Sequence, residues 1–574
     1  MIIKLKNWLK KYWHWIILVA ATICFFISTA SFNYFTQSEN FVKWMSPDEA
    51  ANYNFTKLYA QEGRLMFFEK YNLLASDIIH PRSVRSDFGW LKPVSFLGII
   101  LIYGKIASIT TYKILPFLTP FFAALGIIFY YLLIKEIFGK RNALISALIL
   151  TVFPPFVYYS ARSMFHNVLF VVLLVISLYF ACVSVKKKKI ATDINKINIL
   201  PNSLAGLSGV FLGLAIITRS SELIWIAPIW LIIWLFNIKK FGFIKLIIFI
   251  ACLLFAISPA MYWNKILYQS YWRGGYNEMN QSILNIAGAG SEILKSKSIN
   301  STAIKNGFIE IKNNFFHFGL WPAQSFKMLY FYFIKMFYWI FWPALFGFLL
   351  LLSRIKKWRT KHYAFLLSLF TAAAILILYY GSWNFYDNPD PGSHTIGNSY
   401  TRYWLPIYLG AIPLAVIFLV KLSNIFRFSP LIKQGGGIFL FRALIIILVF
   451  FISIKFVLFG SDEGLIKSAQ KHLAVRAEYE QILNLTENRA IIITQYHDKL
   501  LFPARKVIVG LFDDPNMIKQ YAVLAQYLPI YYYNFTFPER DINYLNNRKL
   551  SLLGLQIKAV AQITKDFTLY KLSL

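Results

Sequence analysis

Long uninterrupted apolar segments dominate this chain of 574 residues and decide what it can fold into. Each runs for about 16 to 28 residues, the length at which a helix crosses a hydrocarbon layer of about 30 Å. Only 15% of the residues are charged, against about 25% in soluble domains. This pattern excludes a disordered chain, a collagen, a coiled coil and a disulfide-stapled secreted scaffold. It predicts a polytopic α-helical membrane protein.

The apolar segments predict eleven transmembrane helices. The first follows a lysine-rich start and is longer than the apolar part of a cleavable signal peptide, so we interpret it as a retained span. The predicted spans are 15–32, 114–135, 143–158, 166–185, 203–218, 222–237, 243–262, 327–353, 363–381, 404–421 and 443–460.

The net charge of +33 would suggest nucleic-acid binding in a soluble protein. Here the basic residues lie in short runs between the apolar segments, where they set membrane orientation. With the N-terminus in the cytoplasm, the inner segments hold 24 Lys or Arg and only two acids, Glu136 and Asp193. We therefore expect a multi-pass plasma-membrane protein without a nucleic-acid partner.

The apolar block 93–109 carries Lys105 near its middle. Counting it as a further span would move Lys186–Lys189 and the basic run 354–361 to the outside, against the positive-inside rule. We therefore predict that this block is an amphipathic helix on the outer surface. The long outer loops are then 33–113 and 263–326.

The chain after residue 460 has a different composition. Short β-rich runs (RAIIIT, KVIVG, PIYYYNF and LQIKAVAQI) alternate there with helical or turn segments. We expect a transmembrane domain over 1–460 and a small extracytoplasmic α/β domain over 461–574.

Two adjacent carboxylates, Asp48 and Glu49, follow the first predicted span at the start of the largest outer loop. Pro47 before a helix-forming run places both in a first helical turn, where the helix dipole favours anions. They are either ordinary helix-start acids or, in one case, a general base towards a hydroxyl group.

Two cations lie at the outer ends of apolar segments. Lys92 precedes the surface helix at headgroup depth, where it either holds a lipid phosphate or anchors the helix by snorkelling. Arg402, followed by Tyr403, stands at the outer end of the tenth span, the wrong side for an arginine that sets topology. Its planar fork suits phosphate recognition.

Other polar side chains fall in the outer turns. Arg162, His166 and Asn167 lie between the third and fourth spans, where a cation needs an anionic partner. Arg219 forms a similar pivot, with a local ion pair to Glu222 as the simpler interpretation. His394 lies in a late outer loop, where a solvent-exposed histidine is the simpler reading.

Taken in chain order, these features resemble a known family. The acidic pair after the first span, the lysine-proline step at Lys92, the hairpin FGKRNALISALIL and the motif RYWLP form one pattern. It is similar to the GT-C fold glycosyltransferases, in particular to the branch of protein O-mannosyltransferases and aminoarabinose transferases. Residues 44–185 carry most of the likeness. The oligosaccharyltransferase branch is disfavoured, because its WWD-type motif is missing from the C-terminal region.

The resemblance implies a sugar donor on a polyprenyl phosphate and a lipid, glycan or protein acceptor that arrives from the outer side. It implies Asp48 as the base, Glu49 beside it, and Lys92 and Arg402 on the phosphate with Arg162 as a helper. The remaining lining residues would be His166, Asn167, Arg219, His394 and Tyr403. Many relatives carry an acid where this chain has His166-Asn167, which argues against a metal role there. The sequence has no Cys/His metal-ligand spacing and indicates no cofactor, and a divalent metal stays an open alternative.

Two other classes compete with a transferase. A transporter or flippase for lipid-linked sugars would carry charges near the bilayer midplane and two matching halves. Here the charges cluster at the outer rim, the loops are unequal and no halves match. An assembly protein that docks through its C-terminal domain would explain that domain but not the acidic pair.

Overall fold

The computed structural model describes residues 2–186, 199–272, 274–275, 319–385, 387, 392–425, 436–460 and 463–574. Most of the predicted loop 263–326 and the lysine run after Lys186 lie outside these residues. The described chain is mainly helical. The first helices are α1 (Ile2–Thr36), α2 (Pro47–Glu62), α3 (Gly98–Ile109), α4 (Leu115–Phe138), α5 (Lys140–Leu150), α6 (Pro154–Arg162), α7 (His166–Ser184), α8 (Ile199–Thr218) and α9 (Leu223–Tyr268).

The later helices complete the bundle and enter the C-terminal region. They are α10 (Pro322–Leu329), α11 (Tyr338–Leu352), α12 (Thr360–Gly381), α13 (Ser399–Tyr403), α14 (Leu405–Ile425), α15 (Gly436–Phe459), α16 (Leu465–Leu485), α17 (Asp498–Leu501), α18 (Pro515–Ala525) and α19 (Glu539–Tyr544).

Seven helices of the described chain are long and apolar enough to cross a membrane, and two bent helix pairs raise the number to nine. The bend between α5 and α6 is 53°. The π-helical segment Tyr330–Lys335 continues α10, and the bend between this helix and α11 is 100°. Each of the eleven predicted spans falls on one of these segments or on the shorter apolar helix Ala443–Phe459. The helical segments are thus confirmed, and the number of crossings stays a prediction.

The 49-residue apolar segment Ser220–Tyr268 folds back on itself. Its backbone leaves the helical conformation at Gly242, where φ is 66°. The rings of Trp230 and Phe249 are 4.8 Å apart, although a straight helix would separate these positions by about 28 Å. The segment is therefore an antiparallel pair, in agreement with the two predicted spans 222–237 and 243–262.

The predicted surface helix is shorter than the block 93–109. Strand pairing holds the chain up to Pro93, and the helix begins only at Gly98. It packs closely on both sides, since Gly98 lies against the backbone of Thr218 and Gly104 against the ring of Tyr59. The helix is therefore largely buried between protein elements, with Lys105 on its exposed side.

The loop after α2 carries a small antiparallel sheet of β1 (Phe67–Phe68), β2 (Val84–Asp87) and β3 (Trp90–Pro93), in the order β1-β3-β2. A two-residue turn at Phe88 and Gly89 joins β2 to β3, and both residues have positive φ, 47° and 80°. Such turns match the twist of paired strands. The turn brings Lys92 back towards the end of β2.

The C-terminal region forms a five-stranded sheet in the order β5-β4-β6-β8-β7. The pairs β4–β5 and β4–β6 are parallel, and β6–β8 and β7–β8 are antiparallel. All four predicted β-rich runs form strands, and the structure adds a fifth at the chain end. The strands are β4 (Ile491–Ile493), β5 (Lys506–Ile508), β6 (Ile530–Phe535), β7 (Gln556–Gln562) and β8 (Phe567–Ser573).

The loop after α2 packs directly on this sheet domain. Ala75 and Ile79 belong to the same buried apolar cluster as Ile491 and Ile530. Arg82 forms an ion pair of 2.5 Å with Asp498, whose side chain is fully buried. The domain therefore holds the loop that follows α2, the helix whose first turn carries the acidic pair. The boundary at residue 461 stays a prediction.

Candidate active site

The acidic pair lies at the start of α2, as the sequence predicts. Ser46 precedes the helix in an extended conformation and Pro47 is its first residue. The Oδ1 atom of Asp48 accepts a hydrogen bond of 2.6 Å from the Ser83 hydroxyl. Ser83 is next to Arg82, so the sheet domain indirectly holds the Asp48 carboxylate in place.

Glu49 is buried and faces the turn between α6 and α7. Its Oε2 atom accepts hydrogen bonds of 2.9 Å from the Ser46 backbone N–H and 2.7 Å from the Arg162 guanidinium. Burial raises the pKa of Glu49 above its usual range, and the charge of Arg162 opposes that shift. The Oε1 atom is buried without a hydrogen-bond partner in the described chain.

A strained turn positions Arg162. Ser163 and Met164 both have positive φ, 61° and 54°, a conformation that non-glycine residues adopt at a cost of about 1–3 kcal/mol. The Asn52 side-chain amide donates to the Met164 carbonyl at 2.9 Å and so ties the turn to α2. Arg162 also donates to the Tyr158 hydroxyl at 3.0 Å. Tyr158 was not among the predicted site residues, although its spacing of four on a helix is the signal for this pair.

His166 and Asn167 serve the framework of the site. The His166 Nδ1 atom lies 3.4 Å from the Asn52 amide nitrogen, and Nε2 lies 3.0 Å from the Phe96 carbonyl. Nδ1 must then accept and Nε2 must donate, which fixes the neutral tautomer. Asn167 donates to the Arg402 carbonyl at 3.3 Å. Both ring nitrogens of His166 are thereby used within the protein.

Arg402 lies on the other side of the same cluster. Its guanidinium donates to Ser399 at 2.8 Å and stands 4.6 Å from the ring centroid of Phe165 and 5.1 Å from that of Tyr403. The Nε–H group is buried without a hydrogen-bond partner in the described residues. Buried polar groups of this kind are rare in folded proteins.

Arg219 is anchored from two sides. It forms the predicted ion pair with Glu222 at 2.8 Å and donates to the Tyr380 hydroxyl at 3.0 Å. Its guanidinium also lies 4.6 Å from the ring centroid of Tyr403, on which Arg402 stacks as well. Tyr380 is far away in sequence, and no sequence pattern pointed to it.

The structure therefore brings eight of the ten predicted side chains into one cluster, in which the Asp48 carboxylate acts on His166 and Arg402 through its charge. They are Asp48, Glu49, Arg162, His166, Asn167, Arg219, Arg402 and Tyr403.

The other two predicted residues have different surroundings. The Lys92 ammonium donates to the Leu267 carbonyl at 2.7 Å and forms an ion pair with Asp87. His394 stacks on the ring of Phe331 at 3.9 Å between centroids. The partners Leu267, Asp87 and Phe331 all lie outside the cluster of eight.

Metal-ligating side chains do not gather in the described part of the chain. No group of three or more His, Cys, Asp or Glu residues there has the geometry to hold a metal ion.

An apolar groove of about 1090 Å³ runs between α4, α7, α9, α12 and α14. At one end it is lined by Trp225 and Pro406. Trp225 donates to Glu222, the partner of Arg219, so this end adjoins the cationic side of the cluster. At the other end the lining includes Lys186 and Lys361. The groove thus has the shape and polarity of a site for a long apolar chain.

Comparisons with known proteins bear on this arrangement. A model of the family described as dolichyl-phosphate-mannose-protein mannosyltransferase matches residues 106–263. No curated protein matches the chain by sequence.

Solved structures match over nearly the whole chain. ArnT from Cupriavidus metallidurans in the apo state is 10% identical, with a TM-score of 0.53, and the match covers 97% of both chains. The apo oligosaccharyltransferase of Archaeoglobus fulgidus is 13% identical, with a TM-score of 0.52 over 96% of this chain and 73% of the other. The archaeal enzyme AglB in complex with an inhibitory peptide and a dolichol-phosphate gives 12% identity and a TM-score of 0.50, covering 95% of this chain and 72% of that one. This chain has the GT-C fold of membrane glycosyltransferases.

Proposed function

We propose that this protein is an integral-membrane glycosyltransferase that moves a sugar from a polyprenyl-phosphate donor to an acceptor, with inversion at the anomeric carbon. One observation carries the proposal. The carboxylates of Asp48 and Glu49 and the guanidinium groups of Arg162 and Arg402 converge beside one end of an apolar groove. Such a site offers a base, a phosphate ligand and a channel for a lipid tail together.

The groove is the proposed site of the polyprenyl chain. Its walls are mostly apolar, with the charged lining gathered at the end of Lys186 and Lys361, so a hydrocarbon tail would lose little by leaving the lipid for the protein. The end at Trp225 and Pro406 would place the phosphate beside Arg219, Tyr403 and Arg402. A lipid-linked donor fits this geometry better than a soluble sugar nucleotide, because a sugar nucleotide has no long apolar chain to occupy the groove.

Arg402 is the proposed principal phosphate ligand. Arg162 and Arg219 already have carboxylate partners, whereas Arg402 forms no ion pair among the described residues. Its buried Nε–H has a free donor position. The leaving phosphate gains negative charge as the glycosidic bond breaks, so a fixed guanidinium binds the transition state more tightly than the donor.

Lys92 is proposed as a secondary ligand. An ammonium group has three donors, and Lys92 uses two of them on Leu267 and Asp87. The third would be available to a phosphate oxygen.

Asp48 is the proposed general base. It lies on the same turn as Glu49, but among the described residues only Glu49 is held by an arginine, so we assign the two carboxylates different tasks. The acceptor hydroxyl oxygen would form a bond to the anomeric carbon while the bond from that carbon to the phosphate oxygen breaks. The hydroxyl proton passes to Asp48 and the polyprenyl phosphate leaves with the electron pair.

The experiment uses membranes that contain the wild type, Asp48→Asn or the control Glu62→Gln, an exposed acid at the far end of α2. Each is supplied with a panel of labelled polyprenyl-phosphate sugars. We expect the wild type and the control to consume one donor and the Asp48→Asn variant to lose at least about 100-fold in rate. Movement of intact labelled lipid across reconstituted vesicles, without consumption by any of the three, would favour the transporter instead.

The orientation is also part of the proposal. We place the N-terminus in the cytoplasm and the sheet domain outside, in the plasma membrane, because of the lysine distribution between spans. Impermeant labelling of a cysteine introduced at exposed Lys519 in sealed cells tests this arrangement. Labelling only after the cells are opened would reverse it.

A further inference from the structure

A second, smaller cavity lies between the loop before α2, α16 and the start of α17. Its volume is about 210 Å³, room for about seven water molecules. Two lysines and two histidines line it: Lys43, His472, His497 and Lys499. The remaining walls are mostly apolar, with Trp44, Met45, Val475, Leu500 and Phe567 among them.

The two lysines of this cavity have largely buried ammonium groups. Lys43 is only 8% exposed, and its ammonium donates to the Phe502 carbonyl at 2.7 Å. Burial lowers the pKa of Lys43 to about 7, and burial with the nearby charge of Arg82 lowers that of Lys499 to about 8. In the described chain neither ammonium has a carboxylate within ion-pair distance. A charge taken out of water without a counter-ion is costly.

The acids around the cavity already have partners. Glu478 lies 3.2 Å from His497 and accepts from the Tyr533 hydroxyl, and Asp498 is held by Arg82. The pKa values of His472 and His497 are lowered to about 4, mainly by burial. Both histidines are therefore neutral at pH 7, and they supply polar lining without adding charge.

The cavity adjoins the acidic end of the candidate active site. Trp44 and Met45 form part of its wall and lie only a few residues before Asp48. The charges of Arg162 and Glu49 affect the pKa of Lys499, and the charge of Arg162 affects the pKa of His472. A molecule at Asp48 could thus extend one charged group into the cavity, on the side away from the groove.

We propose that the cavity bounded by Lys43, His472, His497 and Lys499 binds an anionic group, a phosphate or a carboxylate, of the molecule that meets Asp48. The inference rests on the proposed function only in naming that molecule the acceptor. The cavity is smaller than a site for a whole drug-sized ligand, so it holds the charged end of a larger molecule. The anion would supply the counter-charge that both ammonium groups lack.

The test measures binding without activity. The full-length protein is placed in nanodiscs of phosphatidylcholine and treated with an amine-acylating reagent near pH 7, where most of Lys499 is still protonated, in inorganic phosphate or in chloride of equal ionic strength. Mass spectrometry follows the acylation of Lys499 and Lys43. Exposed Lys519 on α18 is the internal control. We expect phosphate to slow acylation of Lys499 at least about threefold and in a saturable way, and to leave Lys519 unchanged.

Variants and lipids separate the sources of the anion. His472→Gln keeps the size of a polar lining residue, and Lys43→Gln removes one ammonium; both should weaken protection of Lys499 by phosphate, whereas Lys519→Gln should not. Nanodiscs with phosphatidic acid test a lipid-borne phosphate, and protection there would place the anion on a lipid. Equal rates of Lys499 acylation in phosphate, chloride and phosphatidic acid would overturn the inference, as would equal slowing at Lys519. Neither outcome depends on donor consumption, which is measured separately as the test of the proposed function.

Discussion

Glu49 and Arg162 are 113 positions apart in sequence, yet their side chains form an ion pair of 2.7 Å that joins α2 to the end of α6. The Glu49 side chain is 1% exposed and that of Arg162 13%. This pair fixes the geometry in which Asp48 stands next to the cationic cluster. In the described chain Glu49 has an arginine as its ion-pair partner and Asp48 has none, and this difference supports the distinct roles that we propose for the two acids.

Breaking the pair from one side should destabilise the protein strongly. Arg162→Gln leaves the Glu49 carboxylate buried without its cation, and we expect a loss of about 3–5 kcal/mol in unfolding free energy. The double variant Glu49→Gln/Arg162→Gln removes both charges and should lose clearly less than the sum of the single variants. Denaturant unfolding in detergent measures all three. Additive losses would show that the two side chains do not interact.

Arg402 should control donor binding. Arg402→Ala is expected to raise the donor concentration at half-saturation by at least tenfold, and Arg402→Lys should recover only part of the loss because an ammonium lacks the planar fork. Initial rates over a range of donor concentrations provide the measurement. Unchanged half-saturation in both variants would remove Arg402 from the phosphate site.

Lys92 and Asp87 distinguish a phosphate ligand from a structural pair. Lys92→Met should raise the donor half-saturation, since the third ammonium donor is lost. Asp87→Asn keeps the Lys92 ammonium and frees it from its carboxylate partner. The donor concentration at half-saturation should therefore stay the same or fall. The same assay applies to both variants. Equal weakening by the two substitutions would mean that the pair only secures the turn between β2 and β3.

The stability of the protein should depend on pH through Lys43. Its pKa is lowered to about 7 in the folded protein, mainly by burial and further by Lys57, whereas the unfolded chain keeps the ordinary value near 10.4. The unfolded state therefore binds more protons between these values, and stability from this residue rises with pH across that range. Below about pH 7 the full cost of the buried ammonium remains.

Lys43→Met removes this titration. We expect the melting temperature of the wild type, relative to that of Lys43→Met, to increase between about pH 7 and about pH 10. Thermal unfolding in detergent at several pH values gives the comparison. A constant difference between the two proteins over this range would contradict the burial of the ammonium.

Local patterns in the sequence predicted much of this structure. Apolar runs gave the helical segments, and Pro47 placed Asp48 and Glu49 correctly in a first helical turn. These features depend on neighbours along the chain. The last strand, Phe567–Ser573, was not predicted, although buried and exposed residues alternate near its end. Its pairing with β6 identifies this strand more clearly than its own composition does.

Contacts between distant segments could not be predicted in this way. The hydrogen bond from Arg219 to Tyr380 spans 161 positions, and no single segment records it. The partner of Lys92 was not predicted either, although it lies nearby in the sequence. The sequence placed it at the start of a surface helix, but the positive φ at Phe88 and Gly89 folds its strand back so that Asp87 becomes its partner. Eight of the ten candidate residues lie close together in the fold, and their contact partners could be identified only there; their roles stay predictions.

In the proposed reaction this site breaks a bond between a sugar and a lipid phosphate, with Asp48 as the base. Phosphorus NMR of the purified protein with its polyprenyl-phosphate sugar and acceptor follows that bond directly. We predict that the wild type and Glu62→Gln convert the phosphodiester signal into a phosphomonoester signal, and that Asp48→Asn does so at least about 100-fold more slowly. Conversion by Asp48→Asn at the rate of the wild type would contradict the assignment of Asp48 as the base.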